Sequence, residues 1–115
     1  MATMLHPIRA PDFYKEIVEG DNIIFSKEDL KARLGYCADI TYIRIHNLED
    51  RKGIVKLYYV HGNKPILTAF LDNYGIFEMP LQFPPTYEHP LLQIWESINA
   101  YSEIKGTINI VYYWR

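Results

Sequence analysis

The chain has a single cysteine, Cys37, among its 115 residues. A lone thiol cannot form an internal bridge, and no charged leader precedes an apolar run near the start, so the expected setting is cytoplasmic or otherwise intracellular. No apolar stretch approaches the roughly 20 residues that span a bilayer, because charges or prolines interrupt each one. The six glycines stand only where turns and caps want them. No glycine-rich phosphate loop, dinucleotide fingerprint or G-x-S-x-G elbow occurs. Neither sign of charge is in large excess: 12 Lys and Arg against 14 Asp and Glu leave a formal net charge of -2. Such a chain exerts no global pull on a phosphate backbone, and its cations are scattered rather than gathered in a block.

What is present is a hydrophobic fraction of 49% with 23% charged residues, enough apolar side chains for one core without staples. The length fits a single domain, residues 1–115. Within it the first ten residues read as a flexible or docking arm, since His6-Pro7 and Ala10-Pro11 break any regular element. Ten tyrosines and fifteen isoleucines give a composition that resembles the small accessory proteins of thermophilic archaea and their viruses. That likeness rests on no motif.

Local patterns predict an α+β fold in the order α-β-α-β-β-β-β-α-β. Pro11 and Gly20 frame a first short helix over 11–19, with Phe13 and Ile17 on one side, and a brief extended piece follows from Asn22 to Phe25. Ser26 and Asp29 form a capping box, with Phe25 and Leu30 as its staple, for a second helix over 27–34. Four runs with strand character follow at 39–47, 54–61, 65–71 and 76–79. Short connections, including Gly62-Asn63 and the run 72–75, predict an antiparallel meander. A proline-rich connection over 80–87 leads to the main helix at 90–105, where Leu91, Ile94, Trp95, Ile98 and Tyr101 recur at spacings of three and four. A final aromatic strand over 107–114 returns to the sheet.

Pairing the four runs through their turns places apolar residues on both faces of the expected sheet. Ile43, Ile45, Ile54, Tyr58, Leu67, Leu71 and Ile76 gather on the face that the main helix would cover. Val55, Leu57, Tyr59, Ile66, Phe70 and Phe77 gather on the other, with Tyr42, Arg44 and His46 to one side. A second apolar face needs a cover, either the two N-terminal helices or another molecule. Tyr42, Arg44, His46, Val55, Tyr59, Ile66, Phe70 and Phe77 therefore form the candidate interaction surface.

Chemistry-bearing patterns are sparse. His6, His46, His61 and His89 stand at no zinc-binding spacing, so neither metal nor cofactor is expected. His46 and His61 share a face in this register but lie about 20 Å apart, too far to act on one bond. Cys37 reads as a small buried hydrophobe. Arg44, Arg51, Lys52 and Tyr59 are weaker candidates for nucleic-acid contact, through phosphate pairing and stacking. The expected function is a small non-enzymatic binding or interaction protein, plausibly a homodimer, acting through an aromatic and apolar sheet face or edge. A nucleic-acid-associated module and a small hydrolase or nuclease are the alternatives, and no catalytic residue is assigned. The partner is expected to be a second copy or another protein, with no membrane involved.

Overall fold

Isoleucine, valine and tyrosine at alternate positions suit a pleated, half-buried surface, and extended structure dominates. The computed structural model describes residues 8–9, 13–26, 38–79, 92–94 and 96–114. In chain order the strands are β1 (Ile8–Arg9), β2 (Phe13–Ile17), β3 (Gly20–Phe25), β4 (Ala38–Asn47), β5 (Gly53–Tyr59), β6 (Lys64–Leu71), β7 (Ile76–Met79), β8 (Leu92–Ile94), β9 (Ile98–Ser102) and β10 (Gly106–Trp114). Among the described residues no helix reaches seven residues, and none is long and apolar enough to cross a membrane. The one helical turn among them is of 3-10 type, at His61–Asn63.

The α+β expectation is therefore corrected to a nearly all-antiparallel β fold. The helix expected over 11–19 is instead the strand β2, paired with β10 from Ile17↔Gly106 to Phe13↔Ile110. The main helix expected over 90–105 is replaced by β8 and β9, which belong to different sheets. The helix expected over 27–34 and Cys37 lie outside the described residues. The four expected strands and the closing one are present as β4, β5, β6, β7 and β10, but they do not form a meander. Only β5 and β6 of these pair as a hairpin, turning through Gly62 and Asn63, which both take positive φ.

Two sheets share one strand order. In the first, β2, β10, β4 and β7 lie side by side, with β1 extending the β2 row along β10 and β8 extending the β7 row along β4. In the second the order is β3, β9, β5, β6. Each row of the first sheet runs directly into the matching row of the second, through residues 18–19, 103–105, 48–52 and 72–75. The fold is thus a four-row antiparallel sheet creased across its middle and closed on itself.

This crease answers the question of the second apolar face. Ile43, Ile45, Ile108, Ile110 and Tyr112 of the first sheet form one core cluster with Val55, Leu57, Ala69, Ile98 and Ala100 of the second. Phe25 meets Tyr112 edge to face, with centroids 5.1 Å apart. The two sheets bury these faces against each other, and the residues expected as helices over 11–19 and 90–105 contribute strands to them.

Buried amides hold the crease. The Asn47 side chain, fully buried, donates to the carbonyls of Arg51 at 2.7 Å and Asp72 at 2.9 Å and accepts from the Glu49 N–H at 2.9 Å. The Leu48 N–H donates to the Lys105 carbonyl at 3.0 Å. Asn22 plays a similar part in the first row, where its amide donates to the Val18, Gly20 and Ala100 carbonyls and accepts from the Val18 N–H. On the surface Arg51 pairs with Glu19 and Glu49 and donates to the Glu103 carbonyl at 2.8 Å. All four crossings are linked.

Candidate interaction face

Alternation along β5 and β9 sends Val55, Leu57, Ala100 and Ser102 inward and Ile54, Lys56, Tyr58, Asn99 and Tyr101 outward. The outer face of the second sheet follows in three rows. Asp21, Tyr101, Lys56 and Thr68 stand abreast, as do Ile23, Asn99, Tyr58 and Pro65, and Ile54 lies beside Phe70. Phe70 is 76% exposed, Ile23 61% and Tyr101 44%. Phe70, the second-to-last residue of the edge strand β6, projects into solvent beside Ile54, and Ile23 and Tyr101 are exposed on the same face.

The local reason for Phe70 lies four residues upstream. Between Leu57↔Leu67 and Tyr58↔Pro65 the register of β6 slips by one, leaving Ile66 as the extra residue. Such a bulge shifts the alternation. Ile66 and Leu67 both pack against the core, Ala69 and Leu71 continue inward, and Thr68 and Phe70 point out.

The same face sinks into a hollow of about 340 Å³ lined by Asp21, Lys56, Tyr58, Pro65, Thr68 and Tyr101, among others, whose rim at Thr68 is two positions along β6 from Phe70; Phe70 itself lines a separate hollow of about 320 Å³ with Ile54 and Glu103. The Tyr58 hydroxyl donates to Asp21 Oδ1 at 2.7 Å, reaching across β9. That bond, and to a lesser degree burial, holds the Tyr58 proton more tightly than usual and raises its pKa. The open edge of β6 is guarded by Lys64 and Pro65, as edge strands that avoid further pairing commonly are. The face, and not the edge, offers apolar surface.

The residues singled out from sequence do not form one surface. Val55 is fully buried, and Tyr59, Ile66 and Phe77 pack against the core. Tyr42, Arg44 and His46 stand together on the outer face of the first sheet, half-buried. There Asn109 and Glu78 flank Arg44, and Thr107 and Ile76 flank His46. The Tyr42 hydroxyl donates to Glu78 Oε2 at 2.7 Å. Burial first, and Glu78 second, raise the Tyr42 pKa. Burial and the nearby charge of Glu96 do the same for Tyr59. Phe70 alone of the eight lies on the outer face of the second sheet. Ile23, Tyr101 and Asp21 were missed: the signal for Tyr101 was the alternation of Asn99 and Tyr101 against Ile98, Ala100 and Ser102, which a helical reading conceals, and that for Asp21 and Ile23 was their alternation with Asn22 and Ile24 in β3.

The weaker nucleic-acid set is likewise divided. Arg44 is on the first sheet, Arg51 is engaged by carboxylates at the crease, Lys52 lies 4.0 Å from Asp72 Oδ1, and Tyr59 is turned inward. His46 sits at the crease end of the first sheet and His61 on the β5–β6 turn at the far end of the second. A hollow of about 530 Å³ brings His61, Glu96 and Ser97 to one rim. Catalysis there would need a nucleophile, a base and an orienting acid in mutual hydrogen-bond geometry. At this rim the Val60 N–H donates to the Ser97 carbonyl at 3.0 Å.

The chain matches no known protein family, no curated protein and no solved structure.

Proposed function

We propose that the protein is a non-enzymatic interaction domain whose working surface is the outer face of the second sheet and whose partner is a protein. The carrying observation is the exposure of Phe70, at 76%, together with Ile23 and Tyr101 on one sheet face that also holds a hollow lined by Tyr58 and Tyr101. Exposed aromatic and aliphatic side chains around a central depression are the composition of protein interfaces. A polyanion would call for clustered cations, and among the described residues Arg44 stands on the first sheet while Arg51 and Lys52 lie by Glu19, Glu49 and Asp72.

Oxidative footprinting tests this directly. Tyr14 and Tyr74 are 58% and 59% exposed away from the face and serve as internal references. In cells, Phe70 and Tyr101 should label more slowly, relative to these two, than in dilute purified protein. Equal relative labelling in the two settings would remove the reading.

A further inference from the structure

This inference rests on the face just proposed and concerns what covers it. We propose that the partner is a second copy of this chain, the two outer faces packing together so that Phe70 of each copy enters the hollow of the other. A two-fold contact uses the same patch twice, so the patch must be its own complement. This face meets that condition, because it carries both a projecting ring and a recess. Phe70 and Thr68 point outward from the same strand, two positions apart, which separates knob from hollow by about 7 Å. A two-fold axis lying in the plane between the faces, midway between knob and hollow, sets each ring over the other recess.

The recess suits an aromatic ring. The hollow is an open depression of about 340 Å³, so an entering ring would be enclosed by the two faces together. Pro65, the Tyr101 ring and the aliphatic stem of Lys56 supply apolar contact, while the Tyr58 hydroxyl is already engaged by Asp21. A ring entering there strands no phenolic donor of Tyr58. Four strands about 4.8 Å apart and about six residues long give a plan area of roughly 400 Å². This is below the roughly 800 Å² per partner of standard interfaces and in the range of weak, transient ones. The association is accordingly weak, in the micromolar range, and fast.

Analytical ultracentrifugation of the full chain from about 1 to about 300 µM tests it. The wild type is expected to pass from monomer to dimer across that range. Phe70→Ser removes the knob and Thr68→Trp fills the recess, and each should weaken the dimer by about thirtyfold or more, with circular dichroism confirming an unchanged fold. Mixed together, the two variants can form a heterodimer that keeps one ring in one open recess without a clash, so the mixture should associate more tightly than either variant alone. A wild type that remains monomeric, a dimer unmoved by both variants, or a mixture no tighter than its components would each overturn the inference. A monomer in solution whose Phe70 and Tyr101 are nevertheless protected in cells would exclude the second copy while leaving the interaction face in place; a monomer without that protection would remove both.

Discussion

Asn47 offers the sharpest test of the creased sheet, because one side chain serves two crossings. Its amide nitrogen faces two groups that can only accept, the Arg51 and Asp72 carbonyls, and its oxygen faces one that can only donate, the Glu49 N–H. The orientation of the amide is thus fixed by the network. Asn47→Ala removes three hydrogen bonds at a fully buried position. At about 1 kcal/mol apiece this costs about 3 kcal/mol, a large share of the roughly 5–15 kcal/mol that holds a small domain together. Asn47→Asp is nearly isosteric and keeps the acceptor, yet it should cost more, about 4–5 kcal/mol at neutral pH, because a carboxylate oxygen then opposes two carbonyls.

The two substitutions separate further with pH. In Asn47→Asp, burial and the opposed carbonyls raise the pKa of the introduced carboxyl in the folded state above its unfolded value of about 3.9. The folded variant then holds a proton that the unfolded chain has released, so its stability falls as pH rises through the folded pKa and recovers as pH drops toward about 4. Asn47→Ala shows no such trend relative to the wild type. Urea unfolding followed by tryptophan fluorescence reads both effects. With a slope of about 1.3 kcal/mol/M, the alanine variant's midpoint should fall by about 2 M. A loss below about 1 kcal/mol in either variant, or an aspartate deficit that does not shrink in acid, would refute the role given to Asn47.

Other outcomes follow from the same structure. A Cβ at Gly106 would stand 2.3 Å from the His46 carbonyl oxygen, backbone that the central strands cannot shift, so Gly106→Ala should lower Tm by about 10 °C or more by scanning calorimetry. The phenols of Tyr42, Tyr58 and Tyr59 are raised above the ordinary 10.0. The stability they contribute is fully present below about pH 10 and lost as pH rises through the raised values, and the ultraviolet titration of Tyr42→Phe and Tyr58→Phe should each lack one late-titrating phenol. Arg51→Met should cost about 1 kcal/mol in low salt and less in about 1 M salt, measured by urea unfolding, since its pairs with Glu19 and Glu49 are solvent-exposed.

Strand content was legible wherever β-branched and aromatic residues alternate over a long run, as in β4, β5, β6 and β10. The misreadings have a common cause. Residues four apart share a side both in a strand and, nearly, in a helix, so Phe13 and Ile17 fit either pattern. The inward positions of β9 are Ile98, Ala100 and Ser102, and two of these are too small to register as hydrophobic. What remained visible was Ile98 and Tyr101 at helical spacing with Ile94. Pairing was less legible still. A short connection between two strands serves a hairpin or a corner equally well, and what decides is a distant strand: β10 takes the side of β4, and β9 the side of β5.

The candidate surface was misjudged by the same mechanism. Assigning faces by parity along an assumed meander joined Val55, Ile66, Phe70 and Phe77, whereas the crease turns Val55 inward and the bulge at Ile66 separates it from Phe70. One extra residue in β6 therefore does two things at once. It commits Ile66 and Leu67 together to the core, and it leaves Phe70 facing solvent beside a recess. Deleting Ile66 would restore plain alternation with Leu67 still inward opposite Leu57, and would take the Ile66 side chain out of the core, so the bulge adds buried surface. The exposed ring is not a residue that the core had no room for; Ala69 and Leu71 already fill the inward positions on either side of it. A small polar residue at position 70 is expected to fold as well, which supports the proposed partner at Phe70.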